Sequence, residues 1–388
     1  MFIPFIIFPY LIRVLGTETY GLVIYAQTII SYLSILISFG FNLSGVKIVS
    51  EFRNDGEKLS EIISSIFIIK FILFLISLII LTSTLIFLPL AGSNKMLFIL
   101  SMTGVLNELL FPTWYFQGIE EMSYWTNITV LCRLIYLGLI LLLVQNPDDY
   151  LYVPSALGIS HTIGGAIAIY IIFFKHNIKF RFQSFITLLT YSKDSLPLFL
   201  SGLSVNIISI NNKLIIGSFL GMEEVAFYDI ADKIRKLFKL PQTIFSQAIY
   251  PKVSREKSIV FIKKMFKVMF SIDIILICFV LLTSKYIILI LGSNQMLPSL
   301  GLVNVLIFSI LFLGMKDVFG VHVLISNSQN KIFTKAILIS LFTYLIQIIL
   351  IWITIGFSSL NIIISYLTSE IFGVLCMFYY CKKLKLWT

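Results

Sequence analysis

Six charged residues stand near the middle of an apolar segment long enough to cross a lipid bilayer. The segment follows Gly221-Met222-Glu223-Glu224 and runs to Pro251, and its charges are Asp229, Asp232, Lys233, Arg235, Lys236 and Lys239. At about 100° per helical residue the six fall within an arc of roughly 160°. Thr243, Ser246 and Gln247 continue that stripe, while Phe227, Ile230, Ile234, Leu237, Phe238, Ile244 and Phe245 fill the other side. One charge facing lipid at a helix centre costs about 2.5–3.5 kcal/mol, so six would cost on the order of 15–20 kcal/mol. The stripe must therefore face protein or a water-filled cavity. A helix lying on the membrane surface would also keep the charges wet. It would, however, put the basic cluster Lys252, Arg255, Lys257, Lys263, Lys264 and Lys267 outside, against the positive-inside bias.

The rest of the chain reads as a polytopic, all-helical membrane protein. Of its 388 residues 58% are hydrophobic and only 12% charged, with a mean hydropathy of +0.98, which no soluble surface can cover. Apolar segments lie near 1–15, 20–46, 62–89, 96–117, 122–145, 150–174, 191–220, 224–250, 266–291, 297–324, 332–355 and 359–381, twelve in all. Their lengths suit helices, and strand-like alternation is absent. Connections on the predicted cytoplasmic side hold 18 Lys and Arg, at 47–58, 175–193, 252–267, 331–335 and 382–385, against Arg13, Lys95 and Lys285 opposite. Both termini are then expected in the cytoplasm. The net charge of +10 is mostly this end-charge, so nucleic acid is not an expected partner.

Several chemistries find no support. Cys132, Cys278, Cys376 and Cys381 lie in or at the ends of apolar segments without ligand-like spacing, which suits small core or lipid-facing residues. His161, His176 and His322 are scattered singly, so neither metal nor cofactor is expected. There is no GxxxxGK[ST] phosphate loop to drive transport by ATP. No connection exceeds about twenty residues, leaving little room for a catalytic domain, and the N-terminus shows no signal peptide. The run Phe111-Pro112-Thr113-Trp114-Tyr115-Phe116-Gln117-Gly118 closes the fourth span, where an interfacial aromatic belt accounts for its Trp and Tyr.

An internal repeat is visible. Ala91-Gly92-Ser93-Asn94-Lys95-Met96-Leu97 returns as Leu291-Gly292-Ser293-Asn294-Gln295-Met296-Leu297, and Leu15-Gly16-Thr17-Glu18 as Leu220-Gly221-Met222-Glu223. Duplication predicts two six-helix lobes, residues 1–178 and 179–388, with Gly16 matching Gly221 and Gly92 matching Gly292. It also predicts that about fifteen residues are missing ahead of the first helix, since its partner starts near Tyr191.

Eight basic residues lie within the spans: Lys70, Arg133, Lys213, Lys233, Arg235, Lys236, Lys239 and Lys316. Six acids share that depth: Glu108, Asp229, Asp232, Asp273, Asp317 and Glu370. Structural ion pairing explains some of them, and Asp232 with Lys236 at i,i+4 suits it. Bases remain in excess, and Lys213 and Arg133 have no acid nearby in sequence. Such a set can neutralise an anion crossing low dielectric. Arg133, Lys213, Lys233, Arg235, Lys236, Lys239 and Asn206 are the candidate substrate contacts. Ser209, Gln242, Ser246 and Gln247 could add hydrogen bonds to a polar substrate. Asp229, Asp232, Glu108 and Asp317 are the candidates for coupling to an ion gradient. Replacing Arg235 or Lys236 with Ala is expected to leave membrane insertion nearly intact.

Taken with these features, the chain resembles the polysaccharide (O-antigen, Wzx-type) flippase family of the MOP superfamily. The resemblance rests on Pro9-Tyr10-Leu11-Ile12-Arg13-Val14-Leu15-Gly16 with Tyr20-Gly21, on Phe39-Gly40-Phe41-Asn42-Leu43-Ser44, and on Trp114-Tyr115-Phe116-Gln117-Gly118-Ile119-Glu120. It continues in Phe227-Tyr228-Asp229-Ile230-Ala231-Asp232-Lys233 and Tyr250-Pro251. It implies twelve spans in two six-helix lobes around a central cavity, as in multidrug and toxin extruders. The implied activity is transbilayer movement of an undecaprenyl-diphosphate-linked oligosaccharide by alternating access in the bacterial inner membrane. Other polysaccharide-assembly proteins are the further partners it suggests. An ion-coupled exporter of drugs or metabolites is the alternative on this fold, which would favour carboxylates and aromatics over the basic excess. A membrane glycan polymerase would need a large catalytic outer loop.

Overall fold

The computed structural model describes the backbone of residues 3–387, and side chains from residue 6 onward except those of 201, 204–207 and 209. The described chain is all-helical, with no strand. Nine helices are long and apolar enough to cross a membrane among the described residues: Ile6–Glu51, Gly56–Phe87, Lys95–Gly118, Met122–Leu143, Pro147–Lys175, Ile259–Gly292, Asn294–Ile325, Asn330–Thr354 and Ser359–Lys383. Two further long helices, Phe185–Phe219 and Met222–Glu256, lie between the fifth and sixth of these. The second of the two carries the charged stripe, which takes it out of any purely apolar criterion.

The segments expected at 1–15 and 20–46 lie within Ile3–Ser38 as two helices that meet at a kink at Gly16. There φ is 77° and ψ 173°, a conformation that costs glycine little and any residue with a Cβ a good deal. Gly221, between the two long helices, has φ 105° and ψ 172°, nearly the same backbone. Left-handed residues also recur at Glu120 and Ser328 and at Asn177 and Lys385, each pair 208 residues apart. The other repeat anchor does not share this likeness. Ser93 ends a short helix, Pro89–Ser93, whereas Ser293 turns at φ 76°.

The chain divides into two compact units, Met1–Leu203 and Ser204–Thr388. In the first, Trp114, Tyr115 and Phe116 are almost wholly buried and pack with Phe41, Val49, Ile62, Ile63 and Ile66. A Cβ on Gly45 would come within 3.0 Å of the Trp114 ring. The aromatic run is therefore core, and the interfacial belt expected for it is corrected. Three large rings in series bury too much area to leave at a wet boundary when a helix face can accept them. Gly56–Phe87 begins with Asp55, whose carboxylate accepts from the amides of Glu57 and Lys58, satisfying two of the free donors at a helix start.

In the second unit Val253, Ile262, Met269, Phe319, Val323, Leu324, Ala336, Met377 and Cys381 form the core. Cys381 is buried and Cys278 exposed, and no cysteine is bridged. Outward faces stay apolar: Phe87 is 82% exposed and Leu282 81%. Such surface costs nothing against lipid tails and a great deal against water. The chain is a multi-pass membrane protein.

Candidate site: a cationic cluster in the second unit

Helical spacing on Met222–Glu256 stacks Asp229, Asp232, Lys233, Arg235 and Lys236 on adjoining turns. Lys213 reaches them from the end of Phe185–Phe219. Its ammonium lies 2.6 Å from Asp229 Oδ1 and 3.7 Å from Asp232 Oδ2. Lys233 holds the other oxygen of Asp229 at 2.7 Å. Arg235 meets Asp232 Oδ1 at 2.5 Å and Lys236 meets Oδ2 at 2.8 Å. Two buried carboxylates thus carry four cations, an excess of two positive charges. Lys213, which has no acid near it in sequence, is paired across the Gly221 turn.

Neutral groups brace this cluster. Arg235 Nη1 donates to Tyr366 Oη at 3.0 Å. Asn212 donates to Tyr228 Oη at 2.9 Å and accepts from Tyr344 Oη at 2.6 Å. Tyr228 belongs to the run Phe227–Lys233 that carries the family resemblance, whereas only three-dimensional placement distinguishes Asn212, Tyr344 and Tyr366 from ordinary buried polar side chains. Exposure differs sharply within the set. The Lys236 side chain is 60% exposed and that of Arg235 8%, so Lys236 presents its charge outward while Arg235 is locked inside.

A second charged group lies on neighbouring helices of the same unit. Lys316 pairs with the buried Glu370 at 2.8 Å. The fields of Asp317, Arg235, Glu370 and Lys316 act on Lys239. Gln242, expected to serve a polar substrate, is instead buried; its amide donates to Asp273 Oδ2 at 2.8 Å and to the carbonyl of Ile310 at 3.2 Å. Ser246, also expected to face substrate, bonds His322 Nε2 at 2.9 Å. The side chains of Asn206 and Ser209 lie outside the described residues.

In the first unit Arg133 and Glu108 line one cavity of about 400 Å³ with Asn42, Asn107, Trp125 and His161. His161 Nδ1 is bonded to the carbonyl of Gly104 at 3.2 Å, which makes that nitrogen the protonated one. Lys70, buried, donates to the Glu108 carbonyl at 2.9 Å, fixing the turn that carries this acid. No group of three or more His, Cys, Asp or Glu able to hold a metal occurs among the described residues.

A family profile described as "Polysaccharide biosynthesis protein" matches residues 1–257. The chain is 25% identical over 352 residues to a protein of Escherichia coli K12, covering 87% of this chain and 82% of that one. It is 29% identical over 257 residues to a protein of Shigella dysenteriae, covering 65% and 63%. Both relatives bear the name "Putative O-antigen transporter". Among solved structures, an inward-facing multidrug resistance MATE family transporter of the MOP superfamily superposes with a TM-score of 0.74 at 16% identity, over 99% of this chain and 95% of that one. The lipid II flippase MurJ, inward closed, gives 0.72 at 14% identity, over 98% and 86%. These two likenesses carry the fold. The profile, spanning well over half the chain, carries the lineage, and this protein belongs to the polysaccharide biosynthesis protein family, with the fold of the MOP superfamily transporters.

Proposed function

We propose that this protein is a flippase moving an undecaprenyl-diphosphate-linked oligosaccharide, an O-antigen or capsule repeat unit, across the bacterial inner membrane by alternating access. The observation that carries this reading is the excess of two positive charges on the buried Asp229–Asp232 pair. A diphosphate faces a steep cost in leaving water, and fixed cations in a poorly solvated setting offset it. Fixed cations would instead repel a cationic drug. The names of the relatives point the same way. Arg133 with Glu108 in the first unit, and Lys239 with Asp317 in the second, are further parts of the pathway in this reading. A proton or cation gradient supplies the bias, and the protein is a carrier with no catalytic step.

The test is transport in proteoliposomes. Defined lipid-linked oligosaccharides should cross in the presence of the protein, and cationic drugs should not. Drug movement without glycan movement would replace the flippase by an exporter.

The accompanying topology has both termini in the cytoplasm and twelve spans in two lobes, 1–178 and 179–388. Reporters at Asp55, Arg181, Lys257 and Lys331 should read cytoplasmic, and those at Asn94, Asp148, Glu223 and Asn294 external. An external signal at Lys257 would mean that Met222–Glu256 does not cross.

A further inference from the structure

Asp229 and Asp232 are occupied by their own chain: Lys213 stands between them as a tethered cation, and Lys233, Arg235 and Lys236 take the remaining oxygens. Asp273, one helix further on, is in a different condition. It is 2% exposed, and no Lys, Arg or His lies within 4 Å of its carboxylate among the described residues. Oδ2 accepts one bond, from the neutral amide of Gln242. Oδ1 is buried with no hydrogen-bond partner, and so is Gln242 Oε1. Gly314 makes the room, since a Cβ there would fall 2.0 Å from Gln242 Nε2 and 2.7 Å from Asp273 Oδ2.

The polar interior continues along Met222–Glu256. One turn beyond Gln242, Ser246 bonds His322, whose Nδ1 is a third buried atom without a partner. His322 sits in the π-helical turns Asp317–Ile325, a wide helical geometry frequent at functional sites. Unpartnered buried polar atoms are rare enough that three on one file call for a ligand.

We infer that Asp273 is a proton-binding site of the second unit, with Gln242 as its positioning residue. A hydronium ion gives up a proton to Oδ1: one of its O–H bonds breaks to leave water, a new O–H bond forms at Oδ1, and the carboxylate becomes a neutral acid. The carbonyl is then at Oδ2, where the Gln242 N–H already points. An ionised carboxylate with one neutral donor carries a desolvation penalty of several kcal/mol, which the added proton removes. A metal ion fits less well, because a hard cation wants about six oxygens and the file offers one carboxylate and one amide oxygen. The charged groups whose fields reach Asp273 are Asp317 and Lys239, of opposite sign, so their effects on its carboxylate oppose each other. The use of the proton rests on the flippase reading: Asp273 would be the group through which a proton gradient drives the carrier. The site itself does not rest on it.

Infrared difference spectroscopy of the purified protein in lipid nanodiscs tests the site without transport. At neutral pH the wild type should show a protonated-carboxyl C=O band that shifts in D2O, is absent from Asp273→Asn and persists in the exposed control Asp148→Asn. Should Asp273→Asn fail to fold, Gln242→Leu keeps the acid and should move the band to higher wavenumber, as a carbonyl losing its donor does. A spectrum unchanged by both substitutions overturns the assignment. So does a band that sodium abolishes at constant pH, which would make the ligand a metal ion. In proteoliposomes, Asp273→Asn should lose the response of glycan movement to a proton gradient. If the wild type moves no glycan while the band is present, the flippase reading fails and the proton site stands.

Discussion

Replacing Asp232 with Asn is expected to remove most of the protein from the membrane fraction. The carboxylate is buried and has three cations within 4 Å: Lys213 at 3.7 Å, Arg235 at 2.5 Å and Lys236 at 2.8 Å. Asn preserves the shape and removes the only anion within 4 Å of Arg235 among the described residues, a guanidinium that is itself 8% exposed. Lys213 and Lys233 are then left to share Asp229. Removing one partner of a buried pair costs about 3–5 kcal/mol, against a total stability of about 5–15 kcal/mol for a typical domain. Two more cations of the cluster lose part of their compensation at the same time. The second-site test is Asp232→Asn with Arg235→Gln, which takes out the charge and its closest counter-charge together. Its thermal midpoint in detergent should recover part of the loss, because contacting residues do not add. Wild-type abundance and thermal midpoint for Asp232→Asn alone would show that the cluster is solvated rather than buried.

Part of this cluster could be read from sequence and part could not. The Asp232–Lys236 contact follows from i,i+4 spacing on one helix, where backbone geometry alone brings the side chains together. Lys213 gave no such sign, because its partners lie across the Gly221 turn and only the helix pairing brings them near. The stripe on Met222–Glu256 was legible as polar but not in its division of labour. Lys236 points outward, Arg235 is locked to Asp232 and Tyr366, and Gln242 turns to a carboxyl on the next helix. The expectation that Arg235→Ala leaves membrane insertion nearly intact meets a cost in that geometry, since Asp232 would lose a partner at 2.5 Å. The helices themselves were legible because apolar length is a coarse signal. Their breaks were less so: Gly16 is marked by its likeness to Gly221, whereas the aromatic run 111–118 reads equally well as boundary or as core until its neighbours Phe41 and Ile62 are placed.

Lys236 therefore offers the clean test of the cluster's part in transport. Its side chain is 60% exposed, so its pairing with Asp232 contributes little to stability. Lys236→Gln should accumulate in the membrane near the wild-type level, since Lys213 and Arg235 still hold Asp232. Two unit charges 4 Å apart interact by about 4 kcal/mol at an effective dielectric near 20. If about a third of that survives partial hydration of the passing diphosphate, its loss slows transport roughly tenfold. Lys236→Glu reverses the charge and should be slower still, with a modest loss of abundance from the acid placed beside Asp232. Lys331→Ala and Lys383→Ala, at exposed helix ends, should transport normally and control for a general loss of positive charge. Glycan movement is measured per folded protein, from the same preparations used for abundance. Wild-type rates in well-folded Lys236→Gln and Lys236→Glu would take the cluster off the substrate path and leave it a structural brace of the second unit.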